Sequence, residues 1–296
     1  MHRLVQARFH QVVVAGKLRS ERPRFHRRAE VTRMTASVRR PAAVPTGQVW
    51  CEFALTTVLL FLVVTIVRWV RVPASPLYVG DLRLALAVVG PVAGLLITGL
   101  ILSPWGRRSG GHMNPAVTVA VWLMDVFPGV SVLPYIAAQL AGSVLGTSLG
   151  RLVWGPVVST VGFGSLRPAP TWPASAVFLA ETGCILVLAL AVGFLLAYPA
   201  FGRWLPATVG VCIALIIVVF GPLSGGSANP ARQFGPALLA GQFTDLVTYM
   251  VAPIVGAVLG ASVHHLLYRR FQLREPITYK LAGTGDATGR AEASQV

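Results

Sequence analysis

Charge is what this sequence has least of. Only 12% of its 296 residues are Asp, Glu, Lys or Arg, where soluble domains carry about 25%. Apolar residues make up 54%. That balance excludes an ordinary soluble domain, and long apolar runs broken by short Pro/Gly/Arg punctuation read as a polytopic helical membrane protein. Strict polar/apolar alternation is also missing, as in "VGVCIALIIVVF", which excludes a β-barrel. Cysteine is rare: Cys51, Cys184 and Cys212 all sit within or beside apolar segments. They form no disulfide framework and no metal spacing and read as buried bystander thiols. The loops hold no Ser/His/Asp, Cys/His or metal constellation, so no enzyme and no metal site is expected. Residues 1–45 lack the apolar core of a secretory signal.

What is present is six long apolar segments, near 50–70, 82–103, 132–153, 174–198, 205–221 and 245–267. Each has the ~17–25 residues a bilayer span requires. Two shorter segments, 115–125 and 230–240, cannot span, and each starts at an Asn-Pro. Around them the chain repeats itself. "SGGHMNPAV" from Ser109 and "SGGSANPAR" from Ser224 agree at six of nine positions. Glycines Gly142 and Gly146 recur as Gly256 and Gly260, and Glu52 in "CEFALTT" has a counterpart in Glu181 of "AETGCIL". Repeat one covers about 48–155 and repeat two about 172–270. Three spans per repeat is an odd number, so the halves sit inverted, and short interrupted segments at matching places point to a central solute pathway.

The physics of the two short segments supports this. Asn is a good N-cap and Pro suits the first helical position. Asn114-Pro115-Ala116 and Asn229-Pro230-Ala231 therefore each start a helix, and the preceding glycines allow the tight approach. Ten residues give roughly 15 Å, so two such helices end to end give roughly the 30 Å of a hydrocarbon core. In inverted halves they meet N-terminus to N-terminus. Each start carries about half a positive charge, which repels cations and hydronium. Arg232, one turn into the second half-helix, needs solvation or a partner at that depth, so it faces the pathway and adds to cation exclusion. Glu52 and Glu181 read as acceptors for backbone N–H groups of the re-entrant loops.

At these residues the sequence resembles the major intrinsic protein family, the aquaporins and glycerol facilitators, over roughly residues 48–270. The paired NPA boxes, the "SGGH" before the first and the Arg after the second carry the resemblance. It implies an all-α membrane fold of six transmembrane helices plus two re-entrant half-helices in two inverted repeats. It further implies a homotetramer with one pore per subunit, passive conduction of water and small uncharged solutes, and no cofactor. By the same resemblance, counted without gaps, the four positions of the narrow filter fall at Gly94, Ile217, Gly226 and Arg232. Strict water channels favour an aromatic and a His at the first two, and both are missing here. Glycerol facilitators favour Asp after the Arg and a basic residue four further on, whereas this chain has Gln233 and Ala237. Tyr249 and Met250 stand where water channels have an aromatic pair and facilitators have Pro and an aliphatic. The expectation is water permeation with passage of glycerol, urea, ammonia or hydrogen peroxide. Mercurial block in this family often acts through a Cys at the position of Gly226, so weak mercury sensitivity is expected.

The remaining features have plainer readings. Nineteen basic residues fall on the side of the termini against five opposite, or ten against five counted from Met34, so the termini are expected in the cytoplasm and the channel in the plasma membrane. The basic tail, residues 1–45, is either a disordered arm or untranslated upstream of a start at Met34, with no nucleic-acid partner expected. The channel domain runs 46–270, and 271–296 form a C-terminal tail. Gly142, Gly146 and Gly150 form a small-residue stripe for packing within the subunit. His264 and His265 read as interfacial anchors. Arg107 and Arg108 either cover the pore mouth or bind anionic headgroups. Two rival classes remain, a secondary transporter using Glu52 and Glu181 and a closed-pore structural protein.

Overall fold

A computed structural model describes residues 44–271, and the expectations on the basic tail and on residues 272–296 lie outside them. The described residues form α1 (Thr46–Arg71), α2 (Leu82–Leu102), α3 (Pro104–Ser109), α4 (Pro115–Leu123), α5 (Val132–Trp154), α6 (Ala174–Ala197), α7 (Pro199–Gly202), α8 (Leu205–Phe220), α9 (Pro230–Ala240) and α10 (Leu246–Phe271). Five helical segments are long and apolar enough to cross a membrane. The remaining expected span, α8, is shorter than its apolar run suggests, with 16 residues, or roughly 24 Å. The half-helices cover Pro115–Leu123 and Pro230–Ala240, the first ending two residues earlier than expected.

The helices pack as the repeat requires. α1 lies against α5, α6 against α10, and α2 against α8. Glycine makes the first two crossings close. A methyl group at position 142 would stand 2.5 Å from the Phe53 carbonyl oxygen, and one at 150 would stand 2.7 Å from Val64. In the other half a methyl at Gly260 would stand 2.7 Å from Ala189. The stripe on α5 is thus an intrasubunit contact. Without a hydrophobic drive between helices in lipid, such close packing supplies the attraction. Outward-facing leucines such as Leu133 and Leu152, 76% and 78% exposed, suit a lipid-facing surface rather than a wet one.

Local chemistry sets the ends. Asp81 caps α2 by accepting from Leu84 N at 2.7 Å. Ser103 ends α2 and caps α3 through Gly106 N at 3.1 Å, and Gly110 closes α3 in the left-handed region. The short helix α3 was not foreseen from the sequence. It lies between the second span and the first NPA box, where repeat two runs from α8 straight into its loop.

Candidate pore and its paired half-helices

Each half-helix start is built from its own sequence. The Asn114 Oδ1 accepts from Ala116 N at 2.9 Å, and the Asn229 Oδ1 accepts from Ala231 N at 2.9 Å and Arg232 N at 3.2 Å. Pro115 and Pro230 occupy the first helical positions, where no N–H is lost. The two starts then cross-link each other. Asn114 Nδ2 donates to the Ala228 carbonyl at 2.8 Å, and Asn229 Nδ2 donates to the Met113 carbonyl at 2.9 Å. The half-helices therefore meet N-terminus to N-terminus. Each amide keeps a second N–H for a passing oxygen.

The loops before them share one conformation. Gly110 and Gly111 have φ of 93° and 59°, and Gly225 and Gly226 have 95° and 62°. Met113 and Ala228, just before each Asn, both have φ of 47°, a rare value for residues with a Cβ. The two glutamates hold these turns. Glu52, fully buried, accepts from Ser109 Oγ at 2.8 Å, His112 N at 2.9 Å and Met113 N at 2.7 Å. Glu181, equally buried, accepts from Ser224 Oγ at 2.8 Å, Ser227 N at 3.1 Å and Ala228 N at 2.6 Å.

Four further supports escaped the sequence reading. Tyr135 donates its hydroxyl to the Ser109 carbonyl at 2.9 Å, and Tyr249 does the same to the Ser224 carbonyl. The tyrosines stand 114 residues apart, an offset already visible in the glycines, so the signal was present. Tyr249 is thus a loop clamp. Gln139, fully buried on α5, donates to Glu52 Oε2 at 2.8 Å and Thr118 Oγ1 at 3.1 Å. Ser143 Oγ bonds the Ala231 carbonyl and accepts from Gly235 N at 2.9 Å, tying α9 to α5. The carbonyls of Ser109, Met113, Ser224 and Ala228 are thus all engaged by protein donors.

Beside the paired starts lies a cavity of about 70 Å³. Its polar wall is Gly226, Ser227, Asn229 and Arg232, and its other wall is aliphatic, including Leu59, Val63, Val89, Ala93, Ile97, Ile213 and Ile217. Arg232 Nη1 donates to the Gly164 carbonyl at 2.6 Å, and Gly164 closes a segment whose Gly162 and Phe163 are also left-handed. Gln233, next on α9, binds that segment at Leu166 N and O, at 2.9 and 3.0 Å.

Three of the four expected filter positions, Ile217, Gly226 and Arg232, line this cavity. Gly94 does not. A methyl group there would stand 2.5 Å from the Gly210 carbonyl and 3.0 Å from Ala214 Cβ, so Gly94 is where α2 crosses α8. The cavity face of α2 is Val89, Ala93 and Ile97. None of the three cysteines lines the cavity; Cys51 and Cys184 are buried and Cys212 is half-buried. The histidines of α10 also differ from expectation. His264 is buried, 8% exposed, against Gly193 and close to Met124. His265 Nε2 lies 2.8 Å from the Leu123 carbonyl at the end of α4. His264 packs inward because α10 crosses the C-terminus of the half-helix there, so it is not an interfacial anchor, whereas His265 is half-exposed.

The Major intrinsic protein family model matches residues 38–264. A probable aquaporin of Archaeoglobus fulgidus is 37% identical over 188 residues, 60% of this chain and 75% of that protein. A probable aquaporin of Arabidopsis thaliana is 32% identical over 233 residues, 78% of each chain. A propanediol uptake facilitator of Citrobacter freundii is 32% identical over 190 residues, 54% of this chain and 71% of that protein. Among solved structures, the aquaglyceroporin from Plasmodium falciparum has the same fold, with a TM-score of 0.62 at 24% identity, covering 75% of this chain and 95% of that one. The chain belongs to the major intrinsic protein family and is a multi-pass membrane protein, a passive channel for water and small solutes.

Proposed function

We propose that the pore conducts water together with small uncharged solutes such as glycerol, urea, ammonia or hydrogen peroxide, and that it excludes ions and protons. The lining of the cavity carries this reading. Arg232, Asn229 and Ser227 stand on one wall, facing aliphatic side chains, and no aromatic is among the lining residues. A charge and two converging helix starts raise the barrier for cations. A wall without aromatic bulk leaves room for more than water. The filter on this reading is Val89 and Ala93 on α2 with Ile217, Gly226 and Arg232. Glu52 and Glu181 act as loop supports, since the acceptor capacity described for each is turned toward its loop, and this argues against a coupled transporter. The chain works as a homotetramer in the plasma membrane with cytoplasmic termini, and it carries no enzymatic activity. The tyrosine clamps and glutamates give the loops one fixed shape, as a passive pore requires.

A second reading, a small-solute facilitator with little preference for water, is favoured by the same aliphatic wall and by the likeness to the propanediol uptake facilitator. Stopped-flow light scattering on proteoliposomes separates the two. Fast shrinkage under an impermeant osmolyte followed by fast re-swelling in glycerol supports the permissive pore. Shrinkage without re-swelling makes it a water channel and overturns the wide filter. Re-swelling with shrinkage no faster than in protein-free vesicles supports the facilitator, and neither response makes the pore closed.

A further inference from the structure

We propose that the corner formed by the start of α1 and the short helix α3 binds the headgroup of an anionic phospholipid. Arg107 and Arg108 sit on α3, both exposed, and neither has a carboxylate partner among the described residues. Arg108 is laid across the first turn of α1, where a methyl group at Gly47 would stand 2.7 Å from its Nη2.

The position of that contact decides between a lid over the pore and a lipid site. Gly47 and Trp50, three apart, share one face of α1. Trp50 is 68% exposed. The α1 residues lining the cavity are Leu59, Val63, Ile66 and Val67. At 3.6 residues per turn, Trp50 lies about 180° round the helix from Leu59 and about 160° from Ile66. Arg108 therefore rests on the outer surface of the channel. Trp105, 53% exposed, is three residues before Arg108 and shares its face of α3. Two arginines and two exposed indoles at the end of a spanning helix match the headgroup layer, where indole rings settle and basic side chains meet phosphate. α3 is the segment repeat two lacks, so the second half has no equivalent corner. Asp125, just past the end of α4, is the one carboxylate of the described residues at this end of the channel outside the buried Glu52 and Glu181, so the charge favours an anion.

The test is native mass spectrometry of the full chain taken from nanodiscs holding equal phosphatidylglycerol and phosphatidylcholine with identical acyl chains. The expected result is retained phosphatidylglycerol over phosphatidylcholine, lost by about fivefold per charge in Arg107→Gln and Arg108→Gln. The same change at Arg203, exposed on the same side, leaves the ratio unchanged. Equal losses in Arg203→Gln would mean diffuse surface charge and overturn the site. So would an unchanged ratio in the Arg107→Gln/Arg108→Gln double variant, or displacement of the lipid by inorganic phosphate alone. Both leaflets of the disc are alike, so the outcome is independent of which side the termini occupy. Water permeability of the double variant, unchanged on this proposal, separates a lipid site from a pore lid.

Discussion

At the scale of single residues, Arg232 and the α2 wall carry the sharpest expectations. Arg232 is the one ionised side chain lining the cavity. Its charge adds to the half-helix dipoles, and a unit charge about 4 Å from a passing cation is worth roughly 1–4 kcal/mol between bulk water and a partly shielded site. Arg232→Ala is therefore expected to keep water permeation and to raise proton flux about tenfold or more, read with an internal pH dye in proteoliposomes. An unchanged flux would leave exclusion to the dipoles alone. The α2 wall gives a paired test. Ala93→Phe places an aromatic in the lumen and is expected to slow glycerol more than water in a normally folded protein. Gly94→Phe drives its ring into the Gly210 backbone and is expected to abolish folded protein, seen as loss of the monodisperse peak on size exclusion. Were Gly94→Phe to fold and narrow the pore, the gapless filter count would be right after all.

At the scale of elements, the re-entrant loops depend on buried acceptors. Glu181 takes a hydroxyl and two backbone N–H groups from one loop. Glu181→Gln turns one acceptor oxygen into a donor facing a donor, leaving at least one buried N–H or O–H unpaired, at roughly 1–3 kcal/mol each. The expected outcome is a lower thermal midpoint and lower permeability with the fold retained. Uptake coupled to a proton gradient in the unaltered protein and lost in the variant would instead revive the transporter reading. This scale is also where the sequence was most legible. Apolar run length located the spanning helices, and Asn-Pro located the half-helix starts, because both signals are local. What escaped was tertiary. α3 has six residues, too few for periodicity to show. Gln139 and the tyrosine clamps act across 21 residues or more, beyond any helical window. His264 and His265 looked interfacial from their place beside Tyr268 and Arg270, while burial depended on where α4 ends.

At the scale of the whole molecule, the inverted repeat makes two nearly equivalent halves, so little in the fold itself says which way the chain faces. Matching glutamates, loop glycines, left-handed residues and tyrosines all obey the symmetry. What breaks it is charge, for Arg232 answers to Val117, and over the whole sequence nineteen basic residues fall on the side of the termini against five opposite. Between the tails, Arg107, Arg108 and Arg203 lie on the side of the termini, and Arg68, Arg71, Arg83, Arg151 and Arg167 on the other. Arg71 and Arg167 are engaged by loops on that second side, the first by the Val79 carbonyl at 2.6 Å and the second by Gln242 at 2.9 Å. Arg107 and Arg108 have no such partner among the described residues, and since those acceptors are neutral, all of these arginines keep the charge that acts on orientation. Single cysteines introduced as Arg203→Cys and Arg151→Cys, both exposed, in a chain whose own three cysteines are replaced by Ser, make the orientation measurable. In intact cells an impermeant maleimide is expected to label the Arg151→Cys protein at once and the Arg203→Cys protein only after lysis. The opposite pattern would put the termini outside. Labelling of both before lysis would mean a mixed population, as the near symmetry of the two halves permits when the charge bias is too weak to decide.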